Sequence, residues 1–441
     1  MAATTLTRTI SSTGNIYKGT LSVWLKRLKN GSEESIYVNR ENGNNNINIR
    51  FMPGNTLNIE AKQGGSTVAE ITTTPLFMDP ISWYHLVIGI DSTLASSGDR
   101  IRVYSNGNEI TSFSTETQPS QDQNMSINEA GTQALGSDGS SGGYFNGLMT
   151  QAIWVDGTQY AASDFGSFSA NGVWTPNTSP SVTYGTNGFN IDFTNSSDMG
   201  NDVSGNANDL TVSGTCTQTQ DSPSSNYSTL NSLGHASANF TLIEGNTYSG
   251  GADNNWRSIF GTIGSGTGKY YYEMKCIGTS GNERFGACTI AQANMCTDSA
   301  GRYDDSTYGS EGYGYASDGQ KTNNGGSTSY GNTWTTNDIL SCAIDLDNNF
   351  IYFGKNGTWQ DSGDPTSGAS GTGAAYTIAS GIYIPAFTSY GAAANLAFNF
   401  GNGYFRTTPI SSAGTNASGE GVFEYDVPTG YTAFCTKGFN L

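Results

Sequence analysis

The sequence predicts an all-β protein of two antiparallel β-sandwich domains with almost no helix, and three observations carry that prediction. Apolar residues recur at every second position in short segments, which puts one face of each segment in a core and the other in solvent. The chain of 441 residues holds 58 Gly against 11 Pro, amid abundant Asn, Ser and Thr, a composition that reverses direction often. Aromatic residues make 12% of it and charged residues only 13%; each ring buries a large area, so few are needed to fill a core. At roughly 100 to 200 residues per domain, the length suits two.

In the first half, Leu21–Leu25, Ile47–Phe51 and Leu57–Ala61 alternate and read as strands, and Trp83–Ile90 follows as another. Ile101–Tyr104 then runs through Ser105-Asn106-Gly107-Asn108 into Glu109-Ile110. Asn-Gly between alternating runs predicts a tight hairpin, because both central turn positions need positive φ. Phe145–Met149 and Ala152–Gly157 read as a closing strand pair, and the one helix signal is the single turn Ala161–Phe165.

The order WYHLVIGIDS, DRIRVYSNGNEI, GYFNGLMTQAIWVDG resembles the laminin-G or concanavalin-A-like jelly roll, in which a W-x-H strand, an Asn-Gly hairpin and a closing pair ending in Asp-Gly recur. The resemblance implies a jelly-roll domain over residues 1–171. Residues 172–225 then read as a polar connector packing back on that domain, with only Phe189–Phe193 and Leu210–Val212 as strands. This segment resembles a stretch that follows laminin-G-like domains in structural proteins of tailed marine bacteriophages.

The second half alternates rings and polar residues in Lys269–Met274, then presents Arg284–Ala287, Gly312–Tyr315, Trp334–Leu340, Ala343–Asn348, Ile351–Gly357 and Tyr383–Phe387. Asn356-Gly357 is a second positive-φ hairpin signal. In this order the segments resemble the SPRY domain, a bent β-sandwich used as a binding module, and imply such a domain over residues 226–441. Gly/Ser-rich insertions around Ser299–Asn332 and Ser362–Ala375 lengthen its loops, so no loop surface carries over from other members.

Charge and composition exclude several functions. Lys and Arg number 19 and Asp and Glu 37, a net charge of −18, which repels nucleic acid and anionic lipid alike. No run of about 18 apolar residues exists to span a membrane, and Met1–Leu6 lacks the basic-then-apolar grammar of a secretory signal. The six cysteines, Cys216, Cys276, Cys288, Cys296, Cys342 and Cys435, are too sparse for a disulfide framework and read as reduced, partly buried thiols, with Cys288 to Cys296 the one local pairing to check.

An active site is not legible. Only His85 and His235 offer an imidazole base; His85 sits inside a strand, where a structural ring is expected, and no G-x-S-x-G elbow is present. No pair of carboxylates stands at the spacing a glycoside hydrolase needs on one strand. Asp345 and Asp347 read as a solvated turn and Glu33-Glu34 as an exposed pair. No cofactor is expected. Calcium is the one ion such loops could take, from among Asp91, Asp99, Asp156, Asp298, Asp304 and Asp305, but without a D-x-D-x-D loop no ligand set can be named.

Sugar binding needs flat rings beside hydrogen-bonding groups. Tyr303, Asp304, Asp305 and Tyr308 open a Gly-rich insertion running to Tyr330, and Trp359-Gln360-Asp361 offers the same mix. These are the candidate ligand-binding residues, with burial in the core the alternative for each ring. The resemblance implies a non-enzymatic structural protein on the virion surface of a tailed bacteriophage, assembled in the host cytoplasm: a tail fibre, spike or head-fibre component attaching to a host-surface glycan. Two alternatives stand beside it, a capsid or tail decoration protein touching only other virion proteins, and a polysaccharide depolymerase. Trimers are usual among such appendages, but no residue here fixes a homo-oligomer, and no heptad run encodes a shaft.

Overall fold

The computed structural model of the chain describes residues 4–233, 240–243, 245–250, 254–296, 301–391, 393–410, 413–416 and 419–438. His235 and Asp298 lie outside the described residues. The chain forms two compact units, Met1–Gln218 and Thr219–Leu441, each nearly all β.

Among the described residues, the first unit pairs two antiparallel sheets. One has eight strands in the order Phe113–Thr117, Ser66–Leu76, Thr56–Gln63, Asn46–Phe51, Glu34–Arg40, Gly131–Leu135, Thr5–Ile10, Thr211–Ser213. The other has six, in the order Phe189–Ile191, Gly147–Asp156, Lys18–Arg27, Tyr84–Asp91, Ile101–Ser105, Asn108–Ile110. Leu21, Val23 and Leu25 from one sheet and Ile47, Ile49 and Phe51 from the other meet in a single core, so the alternation in the sequence is the two-sidedness of each strand. Within it Tyr37 and Trp154 stack at 4.3 Å, and the Trp154 Nε1–H donates to Asn128 Oδ1 at 2.7 Å, which satisfies the indole where water cannot reach. Asn106 and Gly107 take φ of 47° and 81°, the hairpin geometry their chemistry requires.

The polar segment after residue 172 contributes strands to both sheets: Phe189–Ile191 pairs with Gly147–Asp156, and Thr211–Ser213 pairs with Thr5–Ile10. Between them the Asp202 carboxylate accepts from the backbone N–H groups of Asn190 (2.8 Å), Ser204 (2.9 Å) and Asn208 (2.9 Å). Such local side-chain-to-backbone bonds hold one conformation where apolar residues are few.

The closing pair is one strand, Gly147–Asp156, whose register slips between Thr150 and Ile153 around Gln151 at φ 46°, a bulge that period-two reading takes for a break. Glu34 is 1% exposed rather than a surface residue; it receives Arg27 Nε at 2.9 Å while the Arg27 guanidinium lies over Phe51. A six-residue helix, Ile290–Met295, was not legible as such: Thr289 caps it by accepting from Gln292 N.

The second unit is also a pair of sheets. The first runs Thr241–Ile243, Tyr248–Gly250, Asn395–Asn399, Lys269–Gly278, Ile339–Asp345, Phe350–Lys355, Thr358–Trp359, with Tyr376–Thr377 also on Phe350–Lys355. The second runs Trp256–Phe260, Tyr383–Tyr390, Arg284–Thr289, Gly312–Ala316, Gln320–Asn323, Gly326–Ser329. Rings fill the space between, Tyr272 against Phe285 at 5.2 Å and Phe387 against Phe398 at 5.8 Å. Asp345 is not a solvated turn residue; it is 1% exposed, pairs with Lys269 Nζ at 3.0 Å, and accepts from Asp347 N and Asn348 N. Burial pushes the Cys276 and Cys342 thiols up to about 12, far from reactive thiolates. Cys288 and Cys296 share one apolar cluster.

The outward face of the first sheet is covered by the C-terminal segment. Phe423, Val427, Tyr431 and Ala433 pack with Tyr271, Ala343 and Tyr352. Beside them the fully buried Glu273 carboxylate accepts from Glu424 N (2.9 Å), Tyr425 N (2.9 Å), the Tyr271 hydroxyl (2.9 Å) and Asn399 Nδ2 (3.3 Å).

Candidate functional site

His85 is the imidazole of the first unit, and its hydrogen bonds decide what it can do. Trp174 Nε1 is only a donor and lies 2.9 Å from His85 Nδ1, so Nδ1 must accept. The ring proton therefore sits on Nε2, which donates to Ser22 Oγ at 2.9 Å. A nucleophilic serine needs the opposite, a histidine nitrogen that accepts its proton. Burial lowers the His85 pKa to about 3, and Trp24 stacks on the ring at 4.7 Å. This imidazole is a neutral structural bridge between the sheet and the hairpin Gly166–Phe168/Trp174–Pro176.

The residues expected to bind ligand fall into separate places. Tyr303 is fully buried, on the outer face of the six-stranded sheet of the second unit, with Phe260, Cys288, Ile384 and Ala386. That apolar face must be covered, and the loop after the short helix covers it. Gly286 and Gly314 pair across adjacent strands, and a Cβ on either would stand 2.9 or 2.8 Å from the Tyr303 hydroxyl, so the ring lies in a trough that only glycine leaves open. Gln292 Nε2 holds the Tyr303 carbonyl. Tyr330 is 9% exposed, edge-on to Tyr315 at 5.6 Å and Phe353 at 6.2 Å. Neither Tyr303 nor Tyr330 is an exposed stacking ring, because each fills space between a loop and a sheet. Trp359 is half-buried against Tyr271 at 6.3 Å, and does not join the Tyr303 loop. Tyr308 is partly buried in the Tyr303 cluster.

The seated loop brings Asp304 and Asp305 to a site the sequence did not disclose. Trp256, half-buried at the start of its strand, has the Arg284 Cζ 5.0 Å and the Arg302 Cζ 5.1 Å from its ring centre. Tyr390, 38% exposed, lies 5.4 Å from the same ring. Asp304 is fully buried beneath, with Oδ2 at 3.8 Å from Arg284 Nε and Oδ1 at 3.4 Å from Arg302 Nε. Asp305, one-third exposed, faces Arg302 Nη2 at 3.4 Å, and its pKa is held down by hydrogen bonds from Thr307. Burial lowers the Arg284 pKa, and Asp304 opposes that shift. The result is a half-buried indole with two guanidinium groups over its ring, their carboxylate partners alongside and the exposed Tyr390 ring as its neighbour. There the Tyr390 ring can stack an apolar ring face, with guanidinium groups close by to donate to its hydroxyls. In a chain with 19 basic residues, two arginines flanking one loop were the available hint.

Two of the candidate calcium carboxylates in the first unit are engaged otherwise, and Asp99 stands exposed on a turn. Asp91 meets Lys18 Nζ at 3.0 Å and accepts from Thr93, while Asp156 accepts from Asn15 N (2.9 Å) and Asn187 N (3.0 Å). Among the described residues no three His, Cys, Asp or Glu side chains are grouped as an ion would need.

Comparison with known proteins agrees with the two units. Residues 3–158 match the Concanavalin A-like lectin/glucanases superfamily, and residues 269–403 match the SPRY domain. The chain therefore carries a laminin-G-like, concanavalin-A-like domain followed by a SPRY domain. The ATP-dependent RNA helicase DDX1 of Xenopus laevis is 31% identical over 157 residues, which is 35% of this chain and 18% of that protein's length. Among solved structures, the SPRY domain of human HERC1 is 15% identical with a TM-score of 0.28, covering 36% of this chain and 91% of that one. The heptameric SAP-like pentraxin from Limulus polyphemus is 15% identical with a TM-score of 0.27, covering 36% of this chain and 72% of that one.

Proposed function

We propose that this two-domain chain is a non-enzymatic surface protein of a tailed bacteriophage virion, a fibre or spike component that attaches the particle to host-surface glycan. The observation that carries the glycan part is the Trp256 surface, with its exposed neighbour Tyr390 and the guanidinium groups of Arg284 and Arg302. The virion part rests on the phage-like connector after the first domain. His85, neutral and committed to Trp174 and Ser22, supports a binding role over hydrolysis. The helicase named above acts on RNA by its title, but a net charge of −18 speaks against nucleic acid here.

A glycan array probed with the whole chain tests the reading. Retention of a host-surface glycan, lost on Trp256→Ala with the melting temperature unchanged, is the expected result. An empty array, with labelled protein imaged on the capsid or tail of intact virions, would favour the decoration role instead. Release of reducing ends from host polysaccharide would favour the depolymerase.

A further inference from the structure

Building on the glycan reading, we infer that the Trp256 site selects neutral, hydroxyl-rich sugars and rejects acidic ones. The charges that face one another there are Arg284, Arg302, Asp304 and Asp305, two cations and two anions within ion-pair reach. Asp318 adds a further negative influence on Arg284. An arriving carboxylate or sulfate therefore meets no surplus of positive charge, and the chain as a whole, at −18, repels it. To pair with either arginine it would have to replace a carboxylate already in place.

A neutral sugar meets no such cost. Its C–H face can lie on the exposed Tyr390 ring beside Trp256 while its hydroxyls accept from guanidinium Nη–H groups. The Nε atoms of Arg284 and Arg302 and the two oxygens of Asp304 are buried and make no hydrogen bond; Asp304 holds both arginines by charge, and only their Nη groups are left to meet a hydroxyl. Asp304, with no exposed surface, is a positioning residue: it fixes the two guanidinium groups over the ring and cancels their charge without touching ligand. Asp305, partly exposed, is the second half of that cancellation.

The test measures binding of the intact chain to immobilised neutral polysaccharides (dextran, mannan, galactan) and acidic ones (polygalacturonate, alginate, hyaluronate), at low and high salt. The expected result is retention on at least one neutral polymer, insensitive to salt and about tenfold weaker in Trp256→Ala. Asp304→Asn and Asp305→Asn each leave an arginine charge uncancelled, and each should gain salt-sensitive binding to the acidic polymers. Asp305→Asn alters a partly exposed residue and keeps the test informative if Asp304→Asn does not fold. Salt-sensitive binding of the unaltered chain to acidic polymers alone would overturn the neutral-sugar selectivity while leaving glycan attachment standing. Binding to none of the six would overturn both.

Discussion

At the scale of single residues, His85 shows how burial and one fixed donor remove an imidazole from acid–base chemistry. Its pKa falls from an ordinary 6.5 to about 3 because the charged form loses its hydration. With the folded value below the unfolded one, the unfolded chain binds the extra proton between those limits. The stability that neutral His85 contributes is present above pH 6.5 and drains away as pH falls toward 3, on the order of 1 kcal/mol per pH unit. Glu273 runs the other way. Burial is the largest cause and raises its pKa to about 7, against the lowering effect of its four hydrogen bonds. Here the folded value lies above the unfolded 4.5, so the associated stability is complete below pH 4.5 and is lost as pH rises through 7. Denaturation midpoints measured from pH 4.5 to 7.5 should lose the Glu273 component in Glu273→Gln, and the His85 component in His85→Gln.

At the scale of elements, the loop carrying Arg302, Asp304 and Asp305 depends on a trough in the sheet below it. Gly314→Val places a branched side chain where the Tyr303 ring lies, and overpacking of this kind costs about 1–3 kcal/mol. The expected outcome is a lowered melting temperature with cleavage appearing after Arg302 in limited trypsin digestion; an unchanged digest would show that the loop does not need the trough. This contact also shows where sequence reading stops. The Asn106-Gly107 and Asn356-Gly357 hairpins were legible because the φ requirement and the residues that meet it are adjacent. Tyr303 read as a loop ring because the glycines that bury it belong to two other strands, and its burial is a property of all three segments together. Trp256, Arg284, Arg302 and Tyr390 escaped for the same reason: each is ordinary alone, and only the pairing of Trp256–Phe260 with Tyr383–Tyr390, itself beside Arg284–Thr289, sets them side by side. The C-terminal segment gave no strand signal at all, yet Phe423 and Tyr431 are fully buried over the first sheet of the second unit. Phe423→Ala should cost about 3–5 kcal/mol, read as a shift in denaturant midpoint.

At the scale of the whole molecule, two buried groups with large shifts sit in different units, His85 in Met1–Gln218 and Glu273 in Thr219–Leu441. Acidification from pH 7 to 5 should therefore separate two calorimetric transitions, the first unit melting earlier and the second later. Transitions moving together would show that the two groups do not govern their units. The all-β architecture was legible at this scale because composition, turn chemistry and alternation all point the same way.

The seat of Tyr303 fixes the foot of its loop with two backbones and one ring, and leaves Ser306 and Thr307 exposed at the crown. A mount of that kind lets the crown be rewritten while the stem stays as it is. New tastes can be tried at two positions without the sandwich beneath having to be learned again.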